Sequence, residues 1–134
     1  MSMAISTTIE TSFAEAVDKT REALSDQGFG VLTEIDVTST LKQKLDEDME
    51  DYLILGACNP PLAHQALGVD RQIGLLLPCN VVVRTDTDNP GSVHVEAMDP
   101  QIMVQVAEQP DLQPVADDAA TRLRAAIAAL TDSP

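Results

Sequence analysis

Apolar residues recur along this chain in two rhythms, and the places where one gives way to the other mark its elements. Ala4–Ile9 is short, rich in threonine and close to alternating, which predicts a first strand with one buried face. From Phe13 the period lengthens: Phe13, Ala16, Val17, Thr20 and Leu24 fall on one helical stripe, while Glu15, Asp18, Lys19, Arg21 and Glu22 face water. Ser12 and Glu15 stand in the capping-box relation at its start, and Gly28 and Gly30 can close it by adopting the left-handed conformation. Gly30–Ile35 returns to alternation, with Val31, Thr33 and Ile35 expected on one face and Leu32 and Glu34 on the other. A short helical excursion follows, capped by Asp36 or Thr38, in which Leu41 and Leu45 are i, i+4 neighbours.

The second half opens on Tyr52–Val83, which holds the longest apolar runs. Tyr52–Ala57 is mostly apolar and predicts a strand in the sheet interior, stopped by Asn59-Pro60-Pro61. Prolines are favoured in a helix's first turn, so Leu62–Leu67 is expected to be a short helix closed by Gly68, with Asp70 capping one further turn. Cys79–Thr85 predicts a fourth strand. The turn formers of Asp86–Gly91 then join it in a hairpin to Ser92–Met98, where Val93, Val95 and Ala97 alternate with His94, Glu96 and Met98. Asp99-Pro100 starts a brief helix through Val106, and Gln109-Pro110 breaks it. Val115–Leu130 places Val115, Ala119, Leu123, Ala126, Ile127 and Leu130 on one stripe, with Asp117 and Asp118 early and Arg122 and Arg124 later, complementing the helix dipole.

These elements amount to a single domain over residues 1–134, with no internal repeat or interdomain linker. With two phenylalanines, one tyrosine and no tryptophan, its core has to be built from interdigitated aliphatic side chains. Twenty-two acidic residues, 14 of them aspartates, outweigh eight basic ones, three of them lysines, and the net charge is −14. Such a surface repels itself in ordinary salt and is relieved in concentrated salt, which points to a salt-adapted host. It also disfavours phosphate backbones and anionic membranes, so neither nucleic acid nor a membrane is an expected partner. The N-terminal MSMAISTTIETS lacks the basic and long apolar segments of a secretory signal, and no apolar run approaches the ~20 residues of a bilayer span. A cytoplasmic location follows as the expectation. In that reducing compartment the two cysteines are expected as free thiols.

Two acidic stretches invite a cation and are discounted. Asp46–Asp51 matches no calcium-loop spacing and is expected to be a solvated loop. Asp86–Gly91 superficially resembles a calcium loop, but the fifth position falls on Pro90 and the twelfth on Ala97, between strands.

The tracts ILGACNPPLAHQAL and GLLLPCNVVV, with Gly28-Phe29-Gly30, Glu34-Ile35-Asp36 and Glu96-Ala97-Met98-Asp99-Pro100, resemble the bacterial and archaeal domain-of-unknown-function 302 family over most of the chain. The resemblance implies an α+β fold in the order β-α-β-β-β-β-α. Its five-stranded antiparallel sheet would carry helices on one face, in a TATA-binding-protein-like architecture that is often dimeric. The pattern-derived elements agree: five strands, a helix after the first and a long one at the end. The family's name assigns no activity, so no catalytic residue carries over.

The one site-like feature is the pair of Cys-Asn dipeptides, each at a strand boundary and flanked by proline. If the third and fourth strands are antiparallel neighbours, Cys58 and Cys79 meet at one edge of the sheet. Candidate ligand-binding residues are therefore Cys58, Asn59, Pro60, His64, Pro78, Cys79 and Asn80. The helix N-terminus after Cys58 would make its sulfur a better nucleophile or metal ligand, with His64 in that helix's first turns to help. Against this stands the commonest state of free cysteine, a small buried hydrophobe. Twenty residues separate the thiols, so this is no CxxC, and zinc would need four ligands where only His64 or His94 can join them. Asn59 and Asn80 read more simply as cap and turn residues. Glu34, His94 and Glu96 form a secondary set that alternation allows on one sheet face; His94 and Glu96 are expected to point away from the helices, on a solvated or dimer-facing surface.

No nucleophile-base motif, phosphate loop, dinucleotide fingerprint or strong metal constellation is legible, and no cofactor is called for. The leading expectation is a small-molecule binding or sensing module, non-enzymatic and homodimeric. The alternatives are a thiol-dependent redox or metal-handling protein using Cys58 and Cys79, and a structural homodimer.

Overall fold

A computed structural model of the protein describes residues 3–132. Five strands, β1 (Ala4–Glu10), β2 (Gly30–Asp36), β3 (Tyr52–Cys58), β4 (Cys79–Thr85) and β5 (Ser92–Met98), form one sheet in the order β1-β5-β4-β3-β2. Every neighbouring pair is antiparallel. The helices are α1 (Phe13–Asp26), α2 (Val37–Leu45), α3 (Pro60–Val69), α4 (Gln101–Ala107) and α5 (Gln113–Asp132), with 3₁₀ turns at Arg71–Leu76 and Pro110–Leu112. The α+β class and the strand-helix order expected from the pattern are those observed.

Local chemistry fixes the boundaries. Ser12 caps α1 by accepting the Glu15 N–H at 3.2 Å, while the Glu15 carboxylate takes the Thr11 hydroxyl instead of completing the capping box. At the other end Gly28 adopts a φ of +84°. Its N–H and that of Phe29 return to Ser25 and Leu24 at 3.0 and 2.9 Å, the Schellman closure, with Leu24 and Phe29 packed in the same core. Asp36 caps α2 through Ser39 N–H at 2.9 Å, and α2 buries no residue, as expected of an excursion. Asp99 accepts the Gln101 N–H at 3.0 Å where α4 begins. In the β4–β5 turn the side-chain oxygens of Asp86 and Asn89 accept N–H groups two residues on, from Asp88 and Gly91.

Two hydrophobic clusters lie on the helix side of the sheet. The larger joins Leu53, Leu55, Val81, Val83, Val93 and Val95 of the central strands to Ala16 and Leu24 of α1 and to Leu123, Ala126, Ile127 and Leu130 of α5. A smaller one gathers Leu62 and Ala66 of α3, Ile73, Met103 of α4 and Leu112 around Val115 and Ala119 of α5. The stripe expected on α5 is buried along its whole length, and this helix runs through both clusters.

Three expectations need correction. A β-bulge between Val31 and Thr33 breaks the alternation of β2: Val31 pairs with Ala57 on the helix side, whereas Thr33 and Ile35 pair with Gly56 and Ile54 on the open face. The extra residue, Leu32, is 68% exposed. Gly68 does not end α3; the helix runs to Val69, and Asp70, in extended backbone, both closes it and caps the following 3₁₀ turn through Gln72 N–H at 2.9 Å. Finally, α5 starts at Gln113, so Asp117, Asp118, Arg122 and Arg124 lie outside its terminal turns, where the dipole acts.

Candidate functional site

The end of β3 and the start of β4 share one rim of the sheet. Ala57 pairs directly with Cys79, so Cys58 follows one residue beyond. The intervening segment folds back as α3 and the 3₁₀ turn over the helix side, and a cleft remains at the seam between the two clusters. Cys58, Cys79, Asn59, Leu62, Met103 and Val115 are among its walls. The cavity is about 30 Å³, room for a water or two, and its surface is almost wholly apolar. Cys79 is 7% exposed and Cys58 is half-buried. Burial pushes the Cys79 thiol up to about 11, and the neighbouring Cys58 adds to the shift. Cys79 is thus a neutral thiol at physiological pH, electrostatically coupled to its partner.

Of the other candidates, Asn59 alone joins the two cysteines at the cleft. Its side-chain oxygen accepts the Leu62 N–H at 3.3 Å, capping α3, so it has the structural role expected of a cap. Pro60 opens α3 from an exposed position. His64 is also exposed: with α3 starting at Pro60, Leu62 and Ala66 turn inward, and position 64 falls on the opposite side. His64 is therefore not a cleft residue, and the nitrogen donor proposed to assist the thiols is missing. Pro78, after a cis Leu77–Pro78 bond, packs across Gly56, and Asn80 is exposed on the open face opposite Gly56. Neither lines the cleft. Met103, which does, was not singled out by sequence because nothing in its own stretch links it to the cysteines.

The secondary set divides between the two faces. His94 and Glu96 stand on the open face, away from the helices. There Glu96 accepts from Arg84 Nε at 2.6 Å, and His94 sits between the Thr8 hydroxyl at 2.8 Å and Asp86 at 3.3 Å. Glu34 pairs opposite Leu55 on the helix side and meets Arg21 of α1, so the bulge has separated it from the other two. In the acidic run, Lys42 reaches Asp46 and Asp48 at 2.9 and 3.1 Å, supplying the counter-charge from the chain itself. Among the described residues no group of three or more His, Cys, Asp and Glu could hold a metal ion, and none of the helices is long and apolar enough to cross a membrane.

The family model described as "Domain of unknown function DUF302" matches residues 5–130. The chain belongs to the DUF302 family. Its fold is similar to the crystal structure of an uncharacterised conserved DUF302 protein from Bacillus stearothermophilus, with a TM-score of 0.87 and 28% sequence identity over 96% of this chain and 98% of that one. No curated protein matches the chain. Membership in DUF302 accounts for the sheet order and the helices on one face, and it carries no activity with it.

Proposed function

We propose that this DUF302 protein is a thiol-dependent binding or sensing module in which Cys58 and Cys79 together hold a thiophilic ligand. The observation that carries the reading is that both cysteines are among the walls of one small apolar cleft, at opposite ends of a segment that wraps over it. The cleft is too small for a metabolite as it stands and lacks the convergent polar groups that orient one, which weighs against a general small-molecule pocket. A half-buried Cys58 is the more accessible reaction partner, and the buried, protonated Cys79 is the second.

Phenylarsenous oxide tests this because it bonds stably only to two adjacent thiols: two As–S bonds form, the As=O oxygen leaves as water with both thiol protons, and no electron is transferred. One equivalent should remove both free thiols of the folded chain, and Cys58→Ser should abolish the capture. Persistence of both thiols at equimolar reagent would refute the reading.

A second reading concerns the open sheet face. Ile35, Ile54 and Val82 are aligned across three strands there, with Ile35 51% exposed and Leu32 beside the row at the bulge. We propose a second copy of the chain as the occupant, since an aligned aliphatic row flanked by the Arg84–Glu96 pair can be self-complementary about a two-fold axis. Light scattering should give a dimer that Val82→Asp dissociates; a monomer at every concentration would refute it.

A further inference from the structure

Beside the cleft, two nitrogen donors from distant parts of the chain border one notch. Asn59, a cleft wall, is 9% exposed; its side-chain oxygen caps α3, and no group among the described residues accepts from its Nδ2. Arg122 follows the cleft residues Val115 and Ala119 by seven and three positions, so α5 carries all three on one face. Asp118 holds its Nε at 2.8 Å, and its Nη1 meets the Gln27 carbonyl only at 3.5 Å, the outer limit of a hydrogen bond. Gly28, next to the cleft residue Phe29, keeps the notch open. The position a Cβ would take there lies 3.0 Å from Asn59 Nδ2 and 3.8 Å from Arg122 Nη1, and its φ of +84° favours glycine. We infer that notch and cleft together bind a short aliphatic carboxylate, with its oxygens on Asn59 and Arg122 and its alkyl end among the apolar walls. The inference goes beyond the thiol-pair reading and uses neither sulfur.

Donor chemistry selects the head group. Two nitrogens that lie 3.0 and 3.8 Å from one point are at most about 7 Å apart, a gap the two oxygens of a carboxylate bridge with ordinary hydrogen bonds. The guanidinium adds charge to one of those bonds, and its pairing with Asp118 fixes its orientation while leaving the Nη groups to the ligand. Helix α3 gives no further N–H: positions 60 and 61 are prolines and the cap takes the Leu62 N–H, so only the dipole of α3 favours a negative head.

Size and polarity select the tail. The cleft interior holds no convergent polar groups and, at about 30 Å³, encloses no metabolite; it admits a carbon or two, which is all a short acid has to insert. Leu62, Val115 and Ala119 present hydrocarbon to that end. None of the cleft walls is acidic although the chain carries 22 acidic residues, so no wall repels the head directly. The net charge of −14 opposes an anion at longer range, where salt screens it.

The test uses propionate, exchanged for chloride at constant ionic strength and followed in proton–nitrogen correlation spectra of the isotope-labelled full chain. Saturable shifts of the Asn59 side-chain amide and the Arg122 Nε–H are expected, with a dissociation constant in the millimolar range for so small a ligand. Propionamide, which has the same carbon chain and no charge, should bind about tenfold more weakly or worse, as should propionate to Arg122→Gln. Asn59→Asp separates binding from structure: aspartate caps a helix as well as asparagine, so the melting midpoint should hold, but the donor is gone and binding should be abolished. Formate, with no alkyl end, should bind more weakly than propionate. A parent chain without saturable shifts would overturn the inference, as would equal affinity for propionamide or formate, or undiminished binding in Asn59→Asp. Capture of the thiols by phenylarsenous oxide is read separately, so either reading can fail while the other stands.

Discussion

Gly56→Ala should destabilise the fold although it adds a single methyl group and Gly56 has no left-handed backbone to lose. The added carbon would overlap Thr33 Oγ1 on β2 and stand 2.8 Å from Cγ of Pro78, and a real Cβ does neither. Thr33 is branched at Cβ and resists rotation, and the Pro78 ring is rigid, so the strain is relieved only by shifting β2 or the segment that leads into Cys79. Overpacking of this kind costs about 1–3 kcal/mol, and replacing glycine by alanine recovers about 0.4–1 kcal/mol through the unfolded chain. The net loss is about 1–2 kcal/mol. An unfolding entropy of about 2.1 cal/mol/K per residue gives about 0.28 kcal/mol/K for 134 residues, so the midpoint should fall by about 4–7 °C. Thermal melts followed by circular dichroism, with urea unfolding to verify an unchanged m-value, measure it. Gly68→Ala is the control: its Cβ meets nothing within 4 Å inside α3, so it should stabilise by about 0.5–1 kcal/mol. Adding Thr33→Ala to Gly56→Ala should recover part of the loss. A Gly56→Ala protein that melts at or above the parent's midpoint would refute the packing assigned to this rim.

Three further outcomes follow from other parts of the molecule. The Cys79 thiol is raised from 9.0 to about 11 in the folded state, so its contribution is fully present below pH 9 and is lost as pH rises through 11; up to about 2–3 kcal/mol should disappear across that window in the parent and not in Cys79→Ala, by urea unfolding at stepped pH. Asn59→Ala removes the cap of α3 and should cost about 1 kcal/mol, read as a lower melting midpoint. With a net charge of −14, the midpoint should climb as potassium chloride is raised from low salt to molar concentrations, and a flat response would remove the case for salt adaptation.

How far the structure was legible depends on whether a feature is local. The α1 stripe, the Ser12 cap, the β4–β5 hairpin and the α5 stripe each follow from residues close in sequence, and each is where the pattern put it. The bulge at Leu32 was hidden because GVLTEI alternates without interruption; only its partner strand, which supplies Gly56 opposite Thr33, shows that one residue is extra. That single residue moved Glu34 to the other face from His94 and Glu96. His64 failed for a similar reason, since starting α3 at Pro60 rather than Leu62 fixes which side of the helix it occupies. That Cys58 and Cys79 share one rim of the sheet was legible because antiparallel pairing of adjacent strands brings the end of one beside the start of the next. Met103 was not, for its approach to that rim depends on how α4 packs against α3 and α5.

The claim on which the functional account turns is that two sulfurs distant in sequence act as one binding unit. Anomalous scattering from crystals of the arsenical-treated protein tests it most directly. The account predicts a single arsenic atom bonded to both Cys58 and Cys79 within the cleft; arsenic on one sulfur alone, or none in the cleft, would contradict it.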